Sequence, residues 1–329
     1  MSWKGRSVVV TGAGGFIGSH LVAALVEQGA QVRALVHYNA QGSIGSLAHL
    51  DSRTLAALEV LAGDVSDPYG MRALVRGAHT VFHLAALIGI PYSYVAPASY
   101  VSTNVGGTLH ILEAARAESV RRVVITSTSE TYGTAQYSPI DEAHPAVAQS
   151  PYAATKVAAD HLALSYHRSF DLPVAVVRPF NTYGPRQSER AIVPTIVAQA
   201  LRGTEPVRLG SLEPRRDLTY VSDTVAGFLV VGEHPETVGR VINLGTGHSH
   251  SVRELVEVVG RILGRALEVV QDPSRVRPER SEVLELCADA GVARSLGWTP
   301  TVSVEEGVRR VVEFLRGRPS AAGGEGYRI

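Results

Sequence analysis

Near its N-terminus the chain runs from five residues rich in valine (Ser7 to Thr11, SVVVT) into a turn with glycines at 12, 14, 15 and 18. A helical apolar pattern over Ser19 to Gln28 follows and is closed by Gly29. Few folds accept that order. A buried strand that turns sharply into a helix opens a doubly wound α/β sheet. Gly12, Gly15 and Gly18 give a G-x-x-G-x-x-G spacing in the strand–turn–helix context that a dinucleotide site requires. In that reading Gly12 permits the tight turn and Gly15 lets a pyrophosphate approach the backbone. Gly18 lets helix and strand pack closely, and the helix N-terminus offers unpaired N–H groups to the phosphates.

The rhythm continues through the first half. Further strands are expected at Gln31–Val36, at Val60–Leu61 ending in Gly63-Asp64, at Thr80–Leu84, at Arg122–Thr126 and at Val174–Val177. Helices are expected at Met71–Arg76, Thr103–Glu118 and Tyr152–Phe170. Strands alternating with helices imply a parallel sheet. After Pro179 the pattern loosens into loops rich in Pro, Gly and Arg, with helices near 191–202, 222–232 and 251–264. The expected architecture is α/β: a doubly wound parallel Rossmann sheet with a smaller mixed C-terminal substrate lobe over the sheet's ligand-binding edge. Residues 1–180 would form the dinucleotide-binding domain, with 214–246 returning to it. Residues 181–213 and 247–318 would form the lobe, and 319–329 a flexible tail.

Composition narrows the function. The formal net charge is zero, so the basic excess of a nucleic-acid binder is missing. One cysteine, Cys287, allows no intrachain disulfide. No apolar run reaches membrane-spanning length and no signal-peptide core precedes the first strand, so a cytoplasmic location is expected. The twelve His show no metal-ligand spacing, and no metal site is expected. Lysine occurs only at Lys4 and Lys156; the other 29 basic residues are Arg. A lysine inside such a chain invites a chemical explanation.

Tyr152 and Lys156 stand four apart on a predicted helix that begins after Ser150-Pro151, and so share one face. A phenol near pKa 10 is too weak a base at neutral pH, and a nearby ammonium is expected to lower that value. Such a pair can take a hydroxyl proton while a hydride leaves the same carbon. The plain alternative is a surface pair, but Arg would fill a surface role equally well. Thr128-Ser129-Glu130 follow the fifth strand, at the same sheet edge. A hydroxyl there can bond the reacting alcohol, and a carboxylate can move a proton α to a carbonyl. Glu130 as a solvated loop acid stays open. After the second strand stand His37-Tyr38-Asn39, with neither an acid for ribose hydroxyls nor an Arg for a 2′-phosphate, so NAD and NADP both stay open. Asp64-Val65 could hold the adenine, or Asp64 could cap a helix.

Thr11–Gly18, His83-Leu84-Ala85-Ala86, Asn104, Thr128-Ser129-Glu130-x-Tyr132-Gly133, Tyr152-x-x-x-Lys156, Arg178-Pro179-Phe180-Asn181-x-Tyr183-Gly184-Pro185 and Arg216-Asp217 resemble, in this order, the extended short-chain dehydrogenases. These are nucleotide-sugar epimerases, dehydratases and decarboxylases, and the resemblance spans about residues 10–300. The Thr-Ser-Glu signature is similar to 4,6-dehydratases of the GDP-mannose type; simple 4-epimerases usually have Ser or Ala where Glu130 stands. Ala85–Tyr94, Pro179–Ser188 and Arg277-Pro278-x-x-Ser281-Glu282-Val283 look like GDP-N-acetylglucosamine 4,6-dehydratases of legionaminic acid synthesis.

The resemblance implies an NAD-dependent homodimer acting on a nucleotide-diphosphate sugar. It gives catalytic roles to Thr128, Ser129, Glu130, Tyr152 and Lys156. Cofactor contacts would come from Gly12, Gly15, Phe16, Ile17, Gly18, His37, Asn39, Asp64, Val65, Leu84, Ala85, Ala86 and Asn104. Substrate contacts would come from Tyr92, Ser93, Asn181, Arg186, Arg216 and Arg277, with loop packing the alternative for Tyr92 and Ser93. Some relatives carry Asp where Ser129 stands, as a separate acid; here Glu130 would serve twice. The helices near 103–118 and 152–170 would pair with a second subunit. The competing chemistries are 5,6-dehydration, uronic acid decarboxylation and 4-epimerisation. A non-catalytic dinucleotide sensor is the reading from another class.

Overall fold

Apolar strands joined by helices pair in parallel, because each crossover returns the chain to the same sheet edge. The computed structural model, which describes residues 3–203, 206–276 and 281–317, follows that rule. Strands β1 (Ser7–Thr11), β2 (Gln31–His37), β3 (Leu58–Gly63), β4 (Thr80–His83), β5 (Arg122–Thr126) and β6 (Val174–Pro179) lie in one sheet. Strands β7 (Asn181–Tyr183), β8 (Val207–Leu209) and β9 (Arg215–Tyr220) leave it, and β10 (Val241–Leu244) rejoins it. The seven strands run β10-β6-β5-β4-β1-β2-β3, all parallel. Strand order reverses between β1 and β4, and ligands of such sheets bind at that switch point.

Neighbouring strand residues serve opposite faces of the sheet. Val8 and Val10 join a core with Leu21, Val22 and Leu25 of helix Phe16–Glu27 and Phe228 of helix Val221–Glu233. Val9 joins a second core on the other face, with Met71 and Leu74 of helix Pro68–Val75, Ile111 of Gly107–Ala117 and Ala163 of Pro151–Phe170. The remaining strands, β11 (Ser249–Ser251), β12 (Val269–Gln271) and β13 (Glu285–Leu286), belong to the later region. There β9 pairs with β7, β11 and β13, and β8 with β12.

Several elements differ from the sequence reading. The strand β10 is only four residues long, too short to stand out beside Gly245. Helix Val304–Arg316 was not anticipated, although Val308, Val311 and Val312 are all buried. The expected helix at 103–118 begins instead as a π-helical stretch, Val101–Gly106, and becomes α-helical over Gly107–Ala117. The expected tail at 319–329 lies outside the described residues. Helix Pro151–Phe170 starts as anticipated: Ser150 Oγ accepts the Ala153 N–H at 3.1 Å, and Pro151 fills the first turn.

Gly18 shows how tightly the first unit is closed. A Cβ there would lie 2.2 Å from the Gly12 carbonyl oxygen, a backbone atom that cannot swing away. Gly18→Ala should cost roughly 2–4 kcal/mol of stability, read as a lower urea midpoint at unchanged slope. Gly106→Ala is the control: its Cβ would meet nothing nearer than 3.9 Å, and stability should hold or rise slightly.

Candidate active site

The C-terminal ends of β1 and β4 meet at the switch point, and the chain closes them against each other. Gly12 has φ +68°, and a Cβ there would sit 2.7 Å from the Ala85 nitrogen. Only glycine meets both demands. Thr11 Oγ1 accepts the N–H groups of Leu84 and Ala85, each at 3.2 Å. Helix Phe16–Glu27 then begins with Gly15 as its N-cap. It has no side-chain cap and no acid in its first turn, so its N–H groups and positive dipole end suit an anion.

At the ends of β2 and β3, His37 Nε2 lies 3.4 Å from Asp64 Oδ2. Asp64 Oδ1 accepts the backbone N–H and the hydroxyl of Ser66, at 2.8 and 2.7 Å. Those hydrogen bonds, led by the backbone one, hold its carboxyl below the usual range. Asp64 therefore closes a turn rather than capping a helix, since Asp67 is the N-cap of helix Pro68–Val75, and it presents its other oxygen beside His37. Asn39 closes its own loop, accepting from the Ser43 N–H and donating to the His37 and Ser43 carbonyls. Val65 is buried. Arg33 points to the opposite end of the sheet, donating to Ser7 Oγ and to the carbonyls of Leu74 and Arg76.

The chemistry-bearing groups converge where β4 and β5 end. Tyr152 and Lys156 lie one turn apart on helix Pro151–Phe170, 7% and 4% exposed. Thr128 caps the short turn Ser129–Tyr132, and its side chain hydrogen-bonds the Tyr152 phenol. Glu130, half-buried on that turn, acts electrostatically on the same phenol. Here the structure corrects one expectation. The Tyr152 phenol is not lowered but raised, first by burial and then by Glu130, Tyr100 and Asp160, against the Thr128 hydrogen bond. Burial also brings Lys156 down to about 8, with Asp160 pulling it back up. Desolvation disfavours both charged forms, and the nearby carboxylates oppose the phenolate. Lys156 stays an ammonium at neutral pH.

Three expected contacts lie elsewhere. Ser93 is fully buried and donates to the Ile90 carbonyl at 2.6 Å, so it packs the Ile90–Val95 turn rather than facing a sugar. Asn104 is 1% exposed. Its carboxamide clamps the Leu87 backbone through two hydrogen bonds and donates to Thr155 Oγ1, so it braces the cofactor-side loop instead of reaching out of it. Ser129 is 3% exposed, while its neighbour Glu130 is the accessible acid of the pair. Tyr92 is 43% exposed at the mouth, its ring 6.3 Å from that of Tyr100. Tyr100 in turn makes an edge contact with Tyr152.

On the lobe side, Asn181 carries a buried Oδ1 with no hydrogen-bond partner. Arg186 reaches back to Ser19 on the first helix, at 3.4 Å. Beside it, His20 Nε2 meets the Pro185 carbonyl at 3.0 Å, and burial brings the imidazole down to about 4. Arg216 lies 3.3 Å from Glu282. Arg277 lies outside the described residues. Sequence reading named Asp217 and His83 within its motifs but gave them no role. Asp217 is fully buried and accepts from the N–H groups of Thr246, Gly247 and Ala288. His83 bonds Thr11 Oγ1 at 2.8 Å and Thr108 Oγ1 at 3.3 Å.

A glycine-rich β1 turn and a Tyr-x-x-x-Lys helix on one edge of a Rossmann sheet define an extended short-chain dehydrogenase. Residues 9–311 match the family described as GDP-mannose 4,6 dehydratase, and the chain belongs to that family of nucleotide-sugar dehydratases and epimerases. It is 33% identical over 316 residues to a UDP-glucose 4-epimerase of Mycolicibacterium smegmatis, covering 94% of this chain and 98% of that relative. It is 31% identical over 321 residues to a dTDP-glucose 4,6-dehydratase of Actinoplanes sp., covering 95% and 98%. Among solved structures, a double mutant of dTDP-glucose 4,6-dehydratase from Streptomyces venezuelae, with NAD bound, superposes with a TM-score of 0.84 at 30% identity, covering 94% of this chain and 97% of that one. Among the described residues, no helix is long and apolar enough to cross a membrane.

His83 makes the site acid-sensitive. Burial, with Lys156 adding to it, pushes its imidazole from 6.5 down to about 3. Between those values the unfolded chain binds a proton that the folded chain does not. Its contribution is therefore intact above pH 6.5 and is lost as pH falls, by about 1.4 kcal/mol per pH unit. Urea midpoints measured from pH 7 to 4.5 should show that slope, and His83→Gln should flatten it.

Proposed function

We propose that the chain is a nucleotide-sugar 4,6-dehydratase with NAD as cofactor, forming a 4-keto-6-deoxy sugar. One observation carries the reading: Glu130 lies on the Ser129–Tyr132 turn that Thr128 caps, and that turn packs against the helix bearing the buried Tyr152 and Lys156. An acid–base phenol and a proton-shuttling carboxylate then share one pocket, as elimination next to a transient ketone requires.

The residues fit the cofactor. The Gly12 turn leaves a cradle that a Cβ would fill, and the uncapped helix start at Gly15, Phe16, Ile17 and Gly18 suits its pyrophosphate. His37, Asn39, Asp64 and Val65 mark the adenosine end, and Leu84, Ala85 and Ala86 line the way to the phenol. Arg33 is committed to the far sheet edge, and the Asp64 carboxylate would repel a 2′-phosphate; both support NAD over NADP. Bound there, NAD would supply a reversible hydride acceptor and, in its oxidised form, a positive charge that would favour ionisation of the raised phenol.

The chain's own groups handle the protons. Tyr152 Oη takes the C4 hydroxyl proton, with Thr128 Oγ1 fixing the phenol and the Lys156 ammonium favouring the phenolate. The C4 ketone acidifies the C5 proton, and Glu130 removes it. The Glu130 carboxylic acid then protonates the C6 hydroxyl, which leaves as water; hydride at C6 leaves an enolate that takes a proton at C5, balanced by the proton Tyr152 received. With Ser rather than an acid at position 129, Glu130 serves in both roles. Arg186 and Arg216 suit the nucleotide's phosphates through the bidentate guanidinium fork, and the buried unpartnered Asn181 Oδ1, an acceptor, suits a hydroxyl or N–H donor of the substrate. Asn181 and Arg186 would lie on the lobe, and Arg216 on the 214–246 segment expected to return to the dinucleotide-binding domain.

A uronic acid decarboxylase needs a cation for the C6 carboxylate, whereas Glu130 and Asp160 are the charged groups that raise the Tyr152 phenol. A 4-epimerase is the second reading, favoured by the UDP-glucose 4-epimerases among the relatives; it leaves Glu130 without work. A homodimer through helices Gly107–Ala117 and Pro151–Phe170 is supported by exposed Leu109 and Phe170, and light scattering should then give twice the chain mass.

The deciding experiment incubates the enzyme with GDP-, UDP-, dTDP- and CDP-sugars and follows product mass. Loss of one water supports the proposal; loss of carbon dioxide or unchanged mass replaces it with a rival. Tyr152→Phe should lower turnover roughly 10²–10⁴-fold. Glu130→Gln should block elimination while partly sparing C4 oxidation; full-rate release of 6-deoxy product by that variant would remove Glu130 as the base.

A further inference from the structure

Beneath the Tyr152–Lys156 pair lies a buried charge cluster that the mechanism above does not use. Asp160 is 1% exposed and stands one helical turn beyond Lys156, so 152, 156 and 160 form one stripe. Its Oδ2 accepts three hydrogen bonds: from Ser127 Oγ at 2.7 Å, Arg178 Nε at 3.0 Å and Arg178 Nη2 at 2.8 Å. Its Oδ1 is buried and accepts none. Ser127 sits between β5 and the Thr128–Glu130 turn. Arg178, on β6, lies 4.8 Å over the Tyr132 ring, and Tyr132 Oη donates to Asn243 Oδ1 of β10 at 2.7 Å.

Burying two opposite charges costs desolvation energy that an apolar pair of similar volume avoids, so stability alone is a poor reason for the arrangement. Geometry and sign are better ones. We propose that Asp160 is a positioning residue with two tasks: its Oδ2 ties the Thr128–Glu130 turn to the Tyr152–Lys156 helix through Ser127, and its Oδ1 keeps a negative charge beneath Lys156 that holds that side chain as an ammonium. The inference rests on the acid–base roles given to Tyr152 and Lys156, and it holds whichever product the enzyme releases.

The groups facing this pair come from every neighbouring element. Asp160 shares its helix, His83 ends β4, Glu130 lies on the Ser129–Tyr132 turn, Tyr100 comes from Pro97–Tyr100, and Arg178 from β6. His83 is neutral at working pH, with a pKa of about 3. Burial and then Tyr92 raise the Tyr100 phenol. Arg178, which burial alone would lower, is held up by Asp160. Asp160 opposes the effect of burial on Lys156 and adds to it on Tyr152. One negative charge thus raises both groups, and its removal lowers both.

The test is the pH profile of nucleotide-sugar turnover by the NAD-loaded enzyme. Asp160→Asn should move both limbs to lower pH together, by about half a unit or more. Ser127→Ala cuts the tie without changing charge; kcat should fall roughly tenfold with little change in KM and with both limbs in place. Should Asp160→Asn not fold, Asp160→Asn/Arg178→Gln removes the pair together, and a shift in the same direction but smaller is expected, because loss of the Arg178 cation opposes it. Unmoved limbs in a folded Asp160 variant, or wild-type turnover in Ser127→Ala, overturn the proposal. If the unmutated enzyme turns over no nucleotide sugar, the functional reading fails and this inference with it; turnover with unmoved limbs sinks this inference alone.

Discussion

The contact between the Gly12 turn and the backbone of Leu84 and Ala85 holds the site together. It joins β1 to β4 where the strand order reverses, and it leaves no room for a Cβ. Thr11 spans the same gap with its hydroxyl, accepting from both N–H groups and meeting His83. Helix Phe16–Glu27 can then start uncapped at the crevice, its free N–H groups aimed where a phosphate would lie. Everything downstream is placed relative to that seam, because the parallel strands bring each following loop to the same edge.

Burial is the second organising force, and it acts against the chemistry. A dry pocket strengthens every electrostatic contact and also penalises the charged forms of the phenol and the ammonium. Tyr152 is raised and Lys156 lowered for that reason. Burial thus favours the neutral phenol of Tyr152 and works against the charge of Lys156. The Asp160–Arg178 pair beneath it tunes and aligns without touching a reacting atom.

Membership of a nucleotide-sugar dehydratase and epimerase family leaves the outcome of the shared first oxidation to one or two side chains. Under the proposal Glu130 is the group that separates the readings, because a carboxylate near the phenol would serve elimination and has no task in 4-epimerisation. In the proposed reading Asn181, Arg186 and Arg216 bear on which nucleotide enters, a separate matter from what happens to the sugar.

Much of this was legible in the chain alone, and the reason is local. The glycine spacing after SVVVT, the Ser150-Pro151 start of the Tyr–Lys helix and the alternation of apolar strands with helices are all short-range patterns, which backbone sterics and burial read directly. Long-range burial was not legible. Ser93 and Asn104 look like ligand contacts in sequence, yet packing turns both inward; Tyr152 looks like a phenol lowered by its lysine, yet desolvation raises it. Asp160 offered a signal, an acid four residues past Lys156, but its three-way bond to Ser127 and Arg178 depends on β5 and β6 lying side by side. Sequence determined which residues could do chemistry. The tertiary structure decided which of them are dry, which are paired and which face one another, because solvation and charge coupling depend on neighbours that are distant in the chain.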